Sequence, residues 1–258
     1  MEFFSLEMTW WALSALILAC FLAGFIDSIA GGGGLILLPS LILAGLPPQV
    51  ALGQGKLIST FGTLAAIRNF VKNKKIIWKA IATGIPAGLV GAYVGAEIIL
   101  LFEPETVTKI ILGLLPVGIF LSFIPKKDHT NRPILLSKAQ LYFGVPTVVF
   151  TIGFYDGFFG PGTGSFLILA LHFILRFDLV SASANAKLFN FSSNAGALVA
   201  FVIAGKVLYG LAVPLVIANI LGNHIGSRSA IKYGPKLVQK TLTLSMVLLM
   251  VSLVYQFL

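Results

Sequence analysis

The chain has 258 residues, of which 57% are hydrophobic and 10% charged; soluble domains carry roughly a quarter charged residues, so a soluble globule is excluded. The formal net charge of +9 does not indicate nucleic-acid binding, because the basic residues are spread between apolar runs rather than gathered on one amphipathic face. One cysteine, Cys20, excludes an internal disulfide framework and any multi-cysteine metal site.

Runs of about 20 apolar residues are long enough to cross a ~30 Å hydrocarbon core as helices, and no alternating short strands suggest an outer-membrane barrel. The expected fold is an all-α, polytopic membrane helix bundle. The first run, Trp10 to Ile29, follows a segment that holds Glu2 and Glu7 but no Lys or Arg. It is therefore read as a span rather than a cleaved leader, which would want a positive start. The lipoprotein-like Ile17-Leu18-Ala19-Cys20 and peptidase-like Ser28-Ile29-Ala30 are taken as accidental. Further helices are expected near 49–71, 76–101, 106–124, 139–159, 179–204, 208–230 and 237–257. Two shorter apolar pieces, 35–44 and 164–175, follow the glycine clusters Gly31-Gly32-Gly33-Gly34 and Gly160-Pro161-Gly162-Thr163-Gly164.

These elements repeat. Gly24-Phe25-Ile26-Asp27 matches Gly153-Phe154-Tyr155-Asp156, Lys56-Leu57 matches Lys187-Leu188, and Gly91/Gly95 match Gly222/Gly226. The chain is thus read as one integral membrane domain, 1–258, with a first repeat at 10–124, a basic cytoplasmic linker at 125–138 and a second repeat at 139–258. If both short pieces cross, each repeat has five segments, and an odd number inverts the second repeat relative to the first. With the N-terminus outside, fourteen of the eighteen Lys and Arg residues then fall inside and only Lys109 and Lys206 outside. This pattern follows the positive-inside rule and places both termini outside.

Four charges remain within apolar segments: Asp27, Lys56, Asp156 and Lys187. Each costs at least ~2.5 kcal/mol at membrane depth on insertion scales, so each calls for a functional or pairing explanation. One reading makes them structural Asp–Lys pairs that lock each half. The other makes them part of a polar chamber. The second is favoured by Lys56, Ser59 and Thr63, which share a helical face and match Lys187, Asn190 and Asn194. Gln54 and Asn185 are matched too, and Ser192 and Ser193 lie nearby. Unwound glycine-rich backbone at membrane depth is tolerated only inside protein or beside a wet cavity. Each short helix would aim its N-terminal N–H groups there. Gly31, Gly32, Gly33, Gly34, Gly160, Gly162, Thr163 and Gly164 therefore join the lysines and their polar companions as expected substrate-binding residues, for an anion at the midplane. Asp27 and Asp156 are the expected proton-coupling residues. Gly84/Gly88, Gly91/Gly95 and Gly222/Gly226 read as close helix contacts, Pro86 and Pro214 as kinks, and His172 and His224, unmatched between repeats, as packing or interhelical-bonding groups. No nucleophile set, Walker loop or metal spacing occurs, so neither catalysis nor a cofactor is expected.

The run Gly31-Gly32-Gly33-Gly34 with Pro39, then Ala51-Leu52-Gly53, together with the degenerate copy from Gly153 to Gly164, resembles the TauE/SafE family of sulfite-exporter-like permeases. The resemblance covers nearly the whole chain. It implies a bacterial inner-membrane permease for small, often sulfur-containing anions such as sulfite, sulfoacetate or related organosulfonates. The expected function is a secondary carrier working by alternating access, with proton coupling through Asp27 and Asp156. A passive anion channel and a non-transporting scaffold or assembly factor are the alternatives. The expected partners are a small anionic substrate and the lipid bilayer, with a homodimer admissible.

Overall fold

A computed structural model describes residues 10–72, 76–122, 136–177 and 179–233. The expected helix 237–257 and most of the linker 125–138 lie outside the described residues. Among those residues the chain is all-helical, without strands. In chain order the helices are α1 (Trp10–Ala30), α2 (Gly34–Leu43), α3 (Pro48–Lys72), α4 (Trp78–Leu100), α5 (Pro104–Ser122), α6 (Val145–Phe158), α7 (Thr163–Phe173), α8 (Leu179–Ile203) and α9 (Tyr209–Tyr233). Six apolar helical stretches among the described residues are long enough to cross a membrane, whereas α2 and α7 are shorter. The helix expected near 139–159 is present, and its first part, Gln140–Gly144, forms a π turn before α6 begins. Pro146 has no N–H, and its ring clashes with the carbonyl four residues back in an α-helix. A widened turn just before it accommodates both defects.

The helices interleave between the two halves of the chain. α1 packs along α9 and α6 along α4, while α3 packs on α8 and α9, and α4 on α8. Glycines let these backbones approach. A Cβ at Gly91 or Gly95 would strike the Phe150 or Phe154 carbonyl on α6. One at Gly222 or Gly226 would strike the Phe21 or Phe25 carbonyl on α1. In lipid, where apolar surface gains little by leaving the solvent, such close packing is what holds helices together.

Polar clamps reinforce the exchange at matched positions. Asn185 Oδ1 on α8 accepts the Ile77 N–H at 3.0 Å, just ahead of α4, and Gln54 Oε1 on α3 accepts the Leu208 N–H at 3.0 Å, just ahead of α9. Each satisfies a helix-start N–H that has no partner within its own helix. Chain ends gather accordingly. Gln49 Nε2 donates to the Phe102 carbonyl at 2.8 Å, and a Cβ at Gly53 would meet the Lys206 carbonyl, so the segments near 49, 102 and 206 share one pole. Ala66, Phe70, Ile76, Ala184 and Ile231 cluster at the other.

Candidate functional site

The α1–α2 and α6–α7 junctions are where the chain breaks its helices, and glycine makes the breaks possible. Gly31 (φ +81°), Gly160 (φ +96°) and Gly162 (φ +87°) adopt left-handed backbone that a Cβ disfavours by about 1–2 kcal/mol. The two breaks touch. Ser165 N–H of α7 donates to the Gly31 carbonyl at 3.2 Å, and a Cβ at Gly164 would lie 2.6 Å from Gly31 Cα. A Cβ at Gly34 would sit 3.2 Å from Pro161 Cα.

Beside this crossing the four buried charges form two ion pairs, and both run between the halves. Lys56 Nζ on α3 meets Asp156 Oδ1 on α6 at 2.7 Å, and Lys187 Nζ on α8 meets Asp27 Oδ2 on α1 at 2.8 Å. The two Asp–Lys pairs weighed from sequence as the structural alternative do form, but each joins the halves instead of locking one half to itself. Each ammonium also donates to the main-chain carbonyl of its aspartate, close to the last turn of α1 or α6. There the partial negative charge of the helix end adds to that of the carboxylate. Such pairing makes a charge tolerable where insertion alone would be costly.

A chamber of about 50 Å³ opens over this arrangement; one water needs ~10–15 Å³, so a few waters or one small anion fit. Its lining includes Asp27, Gly31, Gly34, Lys56, Ser59, Asp156, Gly160, Gly162, Thr163, Gly164, Asn190 and Asn194, with Leu37, Leu38 and Phe159 as apolar wall. Twelve of the eighteen residues expected from sequence thus meet in one place. Lys187, 1% exposed, stands behind Asp27 rather than on the wall. Gly32 and Gly33 are buried in the first break, and Thr63 is buried with no partner for its hydroxyl among the described residues. Gln54 and Asn185 serve the helix-start clamps away from the chamber.

Hydrogen-bond capacity remains free at the wall. Asn194 Nδ2 donates to the Asn190 carbonyl at 2.8 Å, while the Asn190 side-chain amide and the Ser59 hydroxyl, both on residues that line the cavity, bond to no protein group among the described residues. Sequence reasoning passed over Ser193 as a site residue, yet its hydroxyl donates to Asp156 Oδ2. The omission has a cause. The matched position in the first half is Gly62, so a search for repeated polar residues discards it. The fixed charges cancel: two lysines against two aspartates leave the ground state of the chamber neutral.

The sulfite exporter TauE/SafE family model matches residues 16–253. The chain belongs to the TauE/SafE family. Among its relatives, the probable membrane transporter protein YfcA of Escherichia coli K12 is 33% identical over 247 residues, covering 94% of this chain and 90% of the relative. A probable membrane transporter protein of Haemophilus influenzae is 34% identical over 244 residues, covering 94% of each. The probable membrane transporter protein ORF9 of a Sinorhizobium species is 35% identical over 247 residues, covering 96% of this chain and 94% of the relative. No solved structure gives a significant match. Family and relatives agree that this TauE/SafE member is a multi-pass membrane transporter.

Proposed function

We propose that the protein is a secondary carrier that moves a small anion, of the class of sulfite, sulfoacetate or a related organosulfonate, by alternating access. Two inverted repeats of five segments form it, set in a bacterial inner membrane with both termini outside. The observation that carries this reading is the chamber at the crossing of two broken helices, with Lys56 on its wall and Lys187 just behind. The anion sits against the Lys56 ammonium, with Ser59 and Asn190 donating to its oxygens. Backbone N–H groups near Gly34 and Gly162–Gly164 add the positive ends of α2 and α7.

Coupling to protons follows from charge balance. With both aspartates ionised the chamber is neutral, and a bound anion adds an uncompensated charge in a place of low dielectric. Protonating an aspartate leaves the lysines in excess by one, which favours the anion by Coulomb attraction. Proton and anion then each promote binding of the other, as linkage requires. Crossing together, the proton cancels one charge of the anion on the loaded site. The two hairpins, α1–α2 and α6–α7, touch at their breaks, so a shift of one against the other exposes the chamber to opposite sides in turn.

The test is uptake of radiolabelled sulfite and of sulfoacetate into proteoliposomes, with and without an inward proton gradient. Saturable uptake accelerated by the gradient is expected. Ohmic flux indifferent to it would support a channel, and absence of flux a scaffold.

A further inference from the structure

The two aspartates stand at matched places but are held very differently. Asp156 accepts from three side chains: Lys56 Nζ at 2.7 Å and Thr163 Oγ1 at 2.9 Å on Oδ1, and Ser193 Oγ on Oδ2. It is 2% exposed and, although the residue also borders the chamber, both of its carboxylate oxygens are already engaged. Asp27 accepts from Lys187 alone, on Oδ2. Its Oδ1 has no protein partner among the described residues, and its side chain is 17% exposed on the chamber wall. The cause lies in the sequence. By the spacing that relates the halves, the positions matching Thr163 and Ser193 are Gly34 and Gly62, neither of which has a hydroxyl. A Cβ at Gly62 would overlap the Asn219 amide, and one at Gly34 would press on Pro161, so neither place accommodates a donor without rearrangement.

Resting on the proton-coupled reading above, we propose that the two aspartates divide the labour: Asp27 alone takes up and releases the coupled proton, while Asp156 is a permanent anion that fixes Lys56 and the second hairpin. A carboxylate whose oxygens already accept donated hydrogens resists protonation, because the incoming proton must displace a donor. At Asp27 the proton arrives from the chamber on Oδ1, which displaces nothing, and Oδ2 continues to accept from Lys187. No bond between heavy atoms changes. Other charged groups around Asp27 are accounted for. α8 brings Lys187, while α3 and α6 bring Lys56 and Asp156, which are already paired. α2 brings no titratable group. α9, packed along α1, brings half-buried His224, whose Nδ1 lies 3.5 Å from Asn69 Nδ2, and Arg228 and Lys232 towards its end, while α7 brings His172, whose Nδ1 lies 2.7 Å from the Phe177 carbonyl oxygen.

Infrared difference spectroscopy of the whole protein in proteoliposomes, titrated from alkaline to acidic pH, reads the C=O stretch of a protonated carboxyl directly, without needing a substrate. One buried carboxyl band is expected in the parent. It should vanish in Asp27→Asn and persist in Asp156→Asn. Because breaking an ion pair endangers folding, a second variant leaves both aspartates in place: Thr163→Val with Ser193→Ala strips Asp156 to the condition of Asp27 and should add a second band. Persistence of the band in Asp27→Asn, its loss in Asp156→Asn, or the failure of the double variant to add one would overturn the division of labour while leaving coupling intact. A parent with no band and no gradient-driven uptake would instead overturn the coupled reading itself.

Discussion

Lys187→Met is expected to destabilise the protein by about 3–5 kcal/mol, because it leaves the largely enclosed Asp27 carboxylate without the one side-chain donor it has among the described residues. Lys187 is 1% exposed and ties α8 to α1, so the loss falls on the contact between the two halves. Adding Asp27→Asn to Lys187→Met removes the stranded charge, and much of the stability should return. The two substitutions are therefore strongly non-additive, as expected for residues in direct contact. Unfolding in detergent, followed by denaturant or heat across the double-mutant cycle, checks this. A single-mutant cost below about 1 kcal/mol, in the range of exposed pairs, would show that the pair does not hold the halves together. The doubly neutral protein also separates structure from coupling. It should fold, yet its uptake should no longer respond to the proton gradient.

Gly31→Ala should be at least as damaging. It places a Cβ on left-handed backbone (φ +81°), costing about 1–2 kcal/mol. The same Cβ lies 2.6 Å from Ser165 N and 2.7 Å from Gly164 Cα, and overpacking of that kind costs roughly a further 1–3 kcal/mol. Backbone cannot step aside as a flexible side chain can, so the two breaks must part and the chamber must lose its floor. Gly113→Ala is the control: a Cβ there meets nothing within 4 Å, and alanine is the better helix residue by ~0.5–1 kcal/mol. Equal thermal stability for the two variants would contradict the crossing of the hairpins.

The helices were legible because each is an apolar run closed by glycine, proline or charge, and the described ones begin and end within a few residues of expectation. The four buried charges were legible for a related reason: in an apolar segment a charge stands out. Their pairing was not. A repeat places Asp27 beside Lys56 in one half and Asp156 beside Lys187 in the other, and nothing in one half's sequence says that its helices pack against the other half's. That exchange is fixed by tertiary contacts such as Gly91 on Phe150 and Gly222 on Phe21. The same packing explains why Gln54 and Asn185, which read as chamber residues because they are matched and polar, instead hold the starts of α9 and α4. Ser193 read only as a donor near the chamber, for the opposite reason. Searching for symmetry finds what the halves share, whereas Ser193 and Thr163 matter because the first half has glycine in their place.

Counterflow in proteoliposomes tests the carrier most directly. Vesicles loaded with excess unlabelled sulfite or sulfoacetate and diluted into a trace of the radiolabelled anion should show a transient overshoot of label, because a site exposed alternately to the two sides exchanges bound anion for bound anion. The overshoot should saturate with external anion and weaken sharply in Lys56→Gln. Equilibration of label without overshoot, unchanged in Lys56→Gln, would contradict alternating access at this chamber.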